Sequence, residues 1–115
     1  MIVITNLPRL RGFDALTTWP FIFITPKLVN NVPLIEHEIV HYREQRAMLT
    51  IPWLLMYWLS RQFRFNAEIR GHAVQVKLGG GTIQWAAWHI ATKYKTGRSI
   101  QEAQAALKTE LLRLG

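Results

Sequence analysis

Two patterns of hydrophobic residues occur along the chain. Short runs of β-branched or aromatic residues lie near the N-terminus, at 2–4 (Ile-Val-Ile) and 21–24 (Phe-Ile-Phe-Ile), and predict two short strands that could pair. The stretch between the two runs is punctuated by proline, glycine and aspartate, a composition typical of a loop.

Apolar residues at helical spacing replace this pattern after residue 31 and predict about five helices. Asn31 can cap the first helix and Pro33 is tolerated in its first turn, so this helix is expected over about 32–48. The other four are expected at about 52–63, at 66–78 with Asn66 as the cap, at 82–96 with Tyr94 among the apolar positions, and at 99–114 with a capping box formed by Ser99 and Glu102. We therefore predict an α+β fold, predominantly α, in which the first helix packs with about four others and a small N-terminal pair of strands.

Length and composition favour one globular domain over residues 1–115. Half of the 115 residues are hydrophobic, and no repeat or long linker divides the chain. The chain has no cysteine, so a metal site must use His, Asp or Glu. The N-terminus lacks a basic segment followed by an apolar core and does not resemble a signal peptide, so a cytoplasmic location is expected.

The net charge of +7 suggests an anionic partner or surface. The basic residues are scattered rather than clustered, which favours a solvated basic surface and argues against a nucleic-acid motif. They include Arg9, Arg11, Arg61, Arg64, Lys93, Lys95, Lys108 and Arg113.

The longest apolar run, IPWLLMYWL at 51–59, is far shorter than the roughly 20 residues that span a bilayer. We expect it to form a central, buried helix. The alternative is contact with a membrane surface, because Trp53, Tyr57 and Trp58 are interfacial residue types and arginines follow them.

The predicted first helix contains an H-E-x-x-H motif, His37-Glu38-Ile39-Val40-His41. Positions i and i+4 share one helix face, so both histidine rings can reach the same metal ion. Glu38 is offset by one residue, beside the metal, where it can act as a base toward a water molecule. The alternative is an amphipathic helix with two incidental histidines, but buried rings would then need other polar partners.

A catalytic zinc usually has a third protein ligand, and Glu68 is the strongest candidate for it. Glu68 lies on a separate predicted helix, and Gly71, one turn further, would allow two helices to approach closely. A salt bridge to Arg64 or Arg70 is the alternative role of Glu68. The weaker candidates for the third ligand are Asp14, Glu36, Glu44, His72, His89, Glu102 and Glu110.

These residues resemble the gluzincin branch of the zincin metallopeptidases. The motif at 37–41 is followed by Glu68-Ile69-Arg70-Gly71-His72, which matches the glutamate and the small residue of the gluzincin third-ligand pattern. At the position of His72, thermolysin-like enzymes have an aspartate that orients a ligand histidine. Over about 20–78 the chain is similar to minimal gluzincins of phages and bacteria, although Arg70 and His72 depart from their usual Glu and Tyr.

The resemblance implies a minimal zincin-like metallopeptidase that uses Zn²⁺ held by His37, His41 and Glu68. Glu38 is the expected general base, and His72 is the expected second catalytic residue, with Tyr42 and Arg70 as other candidates for stabilising the oxyanion. The expected substrate is a peptide or protein, including a peptidoglycan peptide, which could pair with the strand at 21–25. A phage-encoded protein would act in the cytoplasm of its bacterial host.

Two hypotheses from other classes remain open. The first is a non-catalytic zinc-binding structural or interaction protein of a phage or bacterium that keeps the ligands without a substrate cleft. The second is a basic DNA- or envelope-associated protein in which the histidines are incidental.

Overall fold

A three-stranded sheet and five long helices make up the computed structural model, which describes residues 1–10 and 12–115. The elements are β1 Ile2–Ile4, α1 Leu7–Leu10, β2 Ala15–Thr18, β3 Phe21–Ile24, a 3-10 turn Pro26–Leu28, α2 Val32–Met48, α3 Thr50–Leu59, α4 Arg61–Lys77, α5 Ile83–Thr92 and α6 Ile100–Leu114. The predicted α+β class, predominantly α, is confirmed. Of the basic residues named above, Arg11 and the side chain of Arg9 lie outside the described residues.

The sheet has one strand more than predicted. Its order is β1-β3-β2, with β1 parallel and β2 antiparallel to β3. The predicted strands at 2–4 and 21–24 are present and paired, but the stretch predicted as a loop contains β2. The sequence Ala-Leu-Thr-Thr has too little hydrophobic alternation to predict a strand, and β2 forms because it pairs with β3 through the turn at Trp19-Pro20.

The boundary between α3 and α4 differs from the prediction. The pattern predicts that the second helix reaches residue 63 and that the third begins at an Asn66 cap, but α3 ends at Leu59 and α4 begins at Arg61. Ser60 caps α4 by accepting a hydrogen bond from the Phe63 amide at 3.1 Å, while the Asn66 side chain accepts one from Gln62 within the helix. Glu68 therefore lies in the second turn of α4, not in its first.

The other helices follow the predicted pattern closely. In α2 the Asn31 side chain accepts a hydrogen bond from the Leu34 amide at 3.1 Å, as its predicted cap requires. In α6 the predicted capping box between Ser99 and Glu102 is present. Helix α5 stops at Thr92, four residues before the predicted end.

The hydrophobic core lies between α4, α5 and α6. Apart from one phenylalanine, it consists of small and branched side chains that allow these helices to pack closely. They are Phe65, Ile69, Ala73, Ala86, Ala87, Ile90, Ala103 and Leu107.

Helix α3 is not the central, buried helix that its composition predicts. Trp53 is its only buried residue, and much of its apolar surface faces outward. None of the helices in the described part of the chain is both long enough and apolar enough to cross a membrane.

Leu107 provides a test of this core. The side chain of Leu107 is fully buried, so Leu107→Ala should lower the free energy of unfolding by about 2–5 kcal/mol through lost burial and a new cavity. Leu112→Ala is the matched control in the same helix, because Leu112 is 84% exposed and its truncation should have little effect. Urea denaturation followed by circular dichroism measures both variants, and equal losses would contradict this assignment of the core.

Candidate metal centre

Helices α2 and α4 bring the predicted metal ligands together. The Nε2 atoms of His37 and His41 are 3.2 Å apart. Glu68 reaches them from α4, with Oε1 at 3.4 Å from His37 Nε2 and Oε2 at 3.3 Å from His41 Nε2. All three side chains are buried. Glu68 therefore contacts both rings. Among these buried side chains, His37, His41 and Glu38 form one group that could hold a metal ion.

Gly71 makes this convergence sterically feasible. A Cβ atom at this position would lie 2.8 Å from both Cδ2 and Nε2 of His37 and 3.2 Å from Cε1 of His41. The predicted role of Gly71 in close helix approach is thus confirmed, because any larger residue in α4 would press against the two rings of α2.

The Glu68 carboxylate is buried, and its hydrogen bonding is incomplete. Tyr57 of α3 donates to Oε2 at 2.7 Å, whereas Oε1 has no hydrogen-bond partner among the described residues. Burial alone would raise the pKa of Glu68, but His41, His37 and His72 outweigh it and hold that pKa well below its ordinary value. An ionised carboxylate oxygen that is buried without a donor fits a site that accepts a cation.

The alternative role of Glu68 in a salt bridge is not observed. Arg64 donates to backbone carbonyls, including that of Tyr94, and Arg70 is paired with Glu44. Both arginines are therefore engaged elsewhere, and the partners of the Glu68 carboxylate are histidines and a tyrosine.

The outer nitrogens of both histidines have hydrogen-bond partners. His37 Nδ1 lies 2.7 Å from Gln75 Oε1, so it donates and leaves Nε2 free to face the site. Glu44 Oε1 is 3.5 Å from His41 Nδ1. Helical spacing directs Glu44 away from the face that carries the Nε2 atoms of His37 and His41. Its side chain instead contacts the opposite side of the His41 ring, at Nδ1.

Gln75 is a site residue that the sequence motifs do not identify. The resemblance locates a histidine-orienting residue at the position of His72, whereas Gln75, one helical turn later, contacts His37 in this structure. Helical spacing was the one sequence signal that could have identified Gln75. Glu68, Gly71 and Gln75 are at positions i, i+3 and i+7, which share one helix face.

Glu38 is held beside the ligands by the sheet. The Thr17 hydroxyl of β2 donates to Glu38 Oε1 at 2.8 Å, and Glu38 Oε2 is 3.8 Å from His37 Nε2. Only one carboxylate oxygen of this buried side chain therefore faces the metal-ligand cluster. This contact could not be predicted, because no pattern in residues 15–18 indicates β2.

His72 lies behind Glu68 within the same cluster. Its ring centroid is 4.4 Å from that of His37, and its Nδ1 is 2.8 Å from the Glu68 carbonyl and 3.4 Å from Glu68 Oε1. Burial and the neighbouring His37 lower the pKa of His72, so its ring is neutral and Nδ1–H donates to the carbonyl. His37, Glu68 and His72 form a second group that could hold a metal ion, overlapping the first.

A cavity of about 180 Å³ adjoins these residues. His37, Glu38 and His72 line it on one side, with Tyr94 and His89 among its other walls. Burial, followed by Glu68 and Glu38, raises the pKa of Tyr94 well above its ordinary value, so its phenol remains a proton donor. The sequence predicts Tyr94 only as an apolar helix position, and no motif marks it.

The two other residues predicted as candidates for stabilising the oxyanion, Tyr42 and Arg70, contact residues outside the cavity. Tyr42 packs against Trp19, with ring centroids 6.4 Å apart, and Arg70 is paired with Glu44. Neither is among the described residues that line the cavity.

No family model matches this chain, and no curated protein or solved structure shows significant similarity to it. The function must therefore be inferred from the site itself.

Metal binding should release one proton near neutral pH. Burial alone would lower the pKa of His41, but Glu68 and Glu44 raise it to about 10, so Nε2 carries a proton that a metal ion must displace. Below that pKa the apparent affinity should rise about tenfold for each unit of pH. Calorimetric titration with a divalent transition-metal ion in buffers of different ionisation enthalpy counts the protons. A count of zero at neutral pH would show that His41 is already deprotonated.

Gly71→Ala should weaken metal binding while retaining the helical fold. The added methyl group would displace the His37 ring, which Gln75 holds in place, so we expect a loss of affinity of about 10–100-fold. Competition with a chromogenic chelator measures the affinity, and circular dichroism verifies the fold. Unchanged affinity in a folded variant would disprove the steric role of Gly71.

Proposed function

We propose that this protein is a zinc-dependent metallopeptidase in which His37, His41 and Glu68 hold the metal ion and Glu38 is the general base. The supporting observation is the geometry of the three donor side chains. Zinc bonds of about 2.0–2.1 Å separate tetrahedral ligand atoms by about 3.3–3.4 Å. Here the two Nε2 atoms are 3.2 Å apart, and each lies at a similar distance from one of the two Glu68 oxygens, with Oε1 at 3.4 Å from His37 and Oε2 at 3.3 Å from His41.

The surrounding residues also fit a zinc ion. Glu68 Oε1 is buried without a donor among the described residues, and Gly71 leaves room beside His37. Two imidazoles and one carboxylate form a donor set that suits catalytic zinc, and the chain has no thiolate that would close the site. When bound, zinc would lower the pKa of a water ligand toward neutrality and polarise a substrate carbonyl.

Glu38 performs the proton transfers in this proposal. Thr17 holds Oε1, so Oε2 is the oxygen that faces the ligand cluster and can accept a proton from water. The same oxygen can then donate that proton to the nitrogen of the cleaved amide bond. Burial of Glu38 keeps this transfer away from bulk solvent.

Tyr94 is the proposed donor for the developing oxyanion. It lines the same cavity as Glu38, and its raised pKa keeps the phenol protonated. His72 lines the same cavity but directs its Nδ1 proton to the Glu68 carbonyl, so it positions Glu68. A direct part for His72 in catalysis stays a prediction.

The substrate cannot pair with the strand at 21–25 as expected. Strand β3 is the middle strand, and both of its edges are occupied by β1 and β2. On β2, the Gln45 side chain donates to the Thr17 carbonyl at 2.9 Å and accepts from the Trp19 amide at 2.6 Å. We therefore infer that a peptide enters through the cavity; a peptidoglycan peptide and a bacterial cytoplasmic location stay predictions.

Glu38→Gln separates catalysis from metal binding. The variant should keep about one zinc per chain and lose hydrolysis, since the amide preserves the shape but cannot accept a proton. Elemental analysis of protein purified without a metal-affinity tag measures zinc, and labelled casein and isolated peptidoglycan serve as substrates. Wild-type cleavage by this variant would eliminate Glu38 as the base.

Glu68→Ala is the matched control, because it removes a ligand and should lower the zinc content. Zinc retained undiminished in this variant would assign the third ligand to Glu38, which forms a possible metal-binding group with His37 and His41, and would overturn its role as the base. Zinc binding by wild type without hydrolysis of either substrate would favour a non-catalytic zinc protein. A wild-type protein that takes up no zinc would overturn both functions.

A further inference from the structure

The outward face of α3 is an exposed apolar surface. Ile51, Leu55, Trp58 and Leu59 follow one another at helical spacing and are 71%, 51%, 75% and 82% exposed. Leu49, immediately before the helix, extends this surface and is 69% exposed. We call these five residues the α3 surface. A contiguous apolar patch of this kind marks an interaction site.

Leu49 also has an unfavourable backbone conformation. Its φ is 72° and its ψ is 145°, a combination that is costly for a bulky residue and that glycine adopts more easily. The exposed side chain gains little packing within the chain to offset this cost. The turn therefore gives no reason for a leucine at this position, whereas contact of its side chain with an apolar medium would give one.

The charged residues that flank the α3 surface in the sequence have one sign. Residues 45–67 contain three arginines and no acidic residue. The guanidinium of Arg64 donates to the carbonyls of Trp58 at 3.1 Å and Lys95 at 2.7 Å, which locates the Lys95 backbone beside the C-terminal end of α3. Arg61 and Lys95 are exposed at this end, and Arg46 is exposed at the other.

We propose that the α3 surface docks on an anionic lipid bilayer, with α3 lying in the plane of the interface. An apolar helix face that contains tryptophan and is bordered by arginine and lysine matches the acyl boundary and the phosphate layer of such a membrane. A second copy of the chain fits less well, because it would present the same positive charges. At ten residues, α3 is too short to cross the bilayer.

The inner face of α3 connects this surface to the metal centre. Trp53 packs against His41, with ring centroids 5.6 Å apart, and Tyr57 donates to Glu68. The docked helix would therefore hold the site close to the membrane, so that membrane-proximal peptides become its substrates. This consequence rests on the proposed function, whereas the docking itself does not.

Vesicle flotation of the full-length protein tests the docking. Vesicles of phosphatidylcholine alone are compared with vesicles that also contain phosphatidylglycerol. We expect binding to the anionic vesicles, weaker binding to the neutral ones, and a clear decrease at high salt. Failure to bind the anionic vesicles at low salt would overturn the proposal.

A matched pair of double variants locates the contact. Trp58→Ser with Leu59→Ser should weaken vesicle binding by about tenfold or more, because it removes two apolar side chains from the interface. Trp88→Ser with Leu112→Ser removes an equivalent pair from exposed positions on α5 and α6 and should bind like the wild type. Equal losses in both variants would refute the assignment to α3.

Two further measurements separate membrane docking from unfolding, loss of metal and self-association. Zinc content and circular dichroism should be unchanged in both double variants, so that a loss of vesicle binding cannot be attributed to unfolding or to the metal centre. Light scattering reports the oligomeric state. A dimer that disappears only in the α3 variant would assign this surface to a second copy and overturn the membrane proposal.

Discussion

The buried Glu68 carboxylate is the constraint on which the rest of the site depends. Removing an isolated carboxylate from water costs on the order of several kcal/mol, so it requires compensating partners. His41, His37 and Tyr57 supply them from α2 and α3. Because these partners lie on different helices, they can surround the carboxylate only if α2, α3 and α4 pack tightly at this point, and Gly71 permits that approach.

Helix α4 has two faces with different roles, one in the apolar core and one in the polar cluster. Its Phe65, Ile69 and Ala73 contribute to the apolar core with α5 and α6. Its Glu68, His72 and Gln75 face the histidines of α2. The core therefore fixes the position of α4, and through α4 it fixes Glu68 and the hydrogen bond between His37 and Gln75. A small domain can bury several polar groups in this way because each has a partner or a proposed ligand.

The sheet and α3 complete the site from two other directions. Through Thr17, β2 fixes one Glu38 oxygen and leaves the other facing the ligands. Through Tyr57, α3 supports Glu68, while its opposite face exposes apolar side chains between basic residues. The same short helix thus belongs both to the proposed metal centre and to the proposed membrane contact. This arrangement would link the location of the protein to the chemistry of its site.

The sequence by itself determined the features that depend on local spacing. The i, i+4 repeat aligned His37 with His41, and the caps at Asn31 and Ser99 set the starts of α2 and α6. Tertiary structure decided the features that depend on pairing between distant segments. Strand β2 forms only by pairing with β3. Helix α3 is exposed because α4–α6 form the core. Gln75 and Tyr94 reach the site only because the helices pack together. Local periodicity records which face of an element is apolar, but not which element covers it. For that reason the proximity of His37 and His41 was predictable and their surroundings were not.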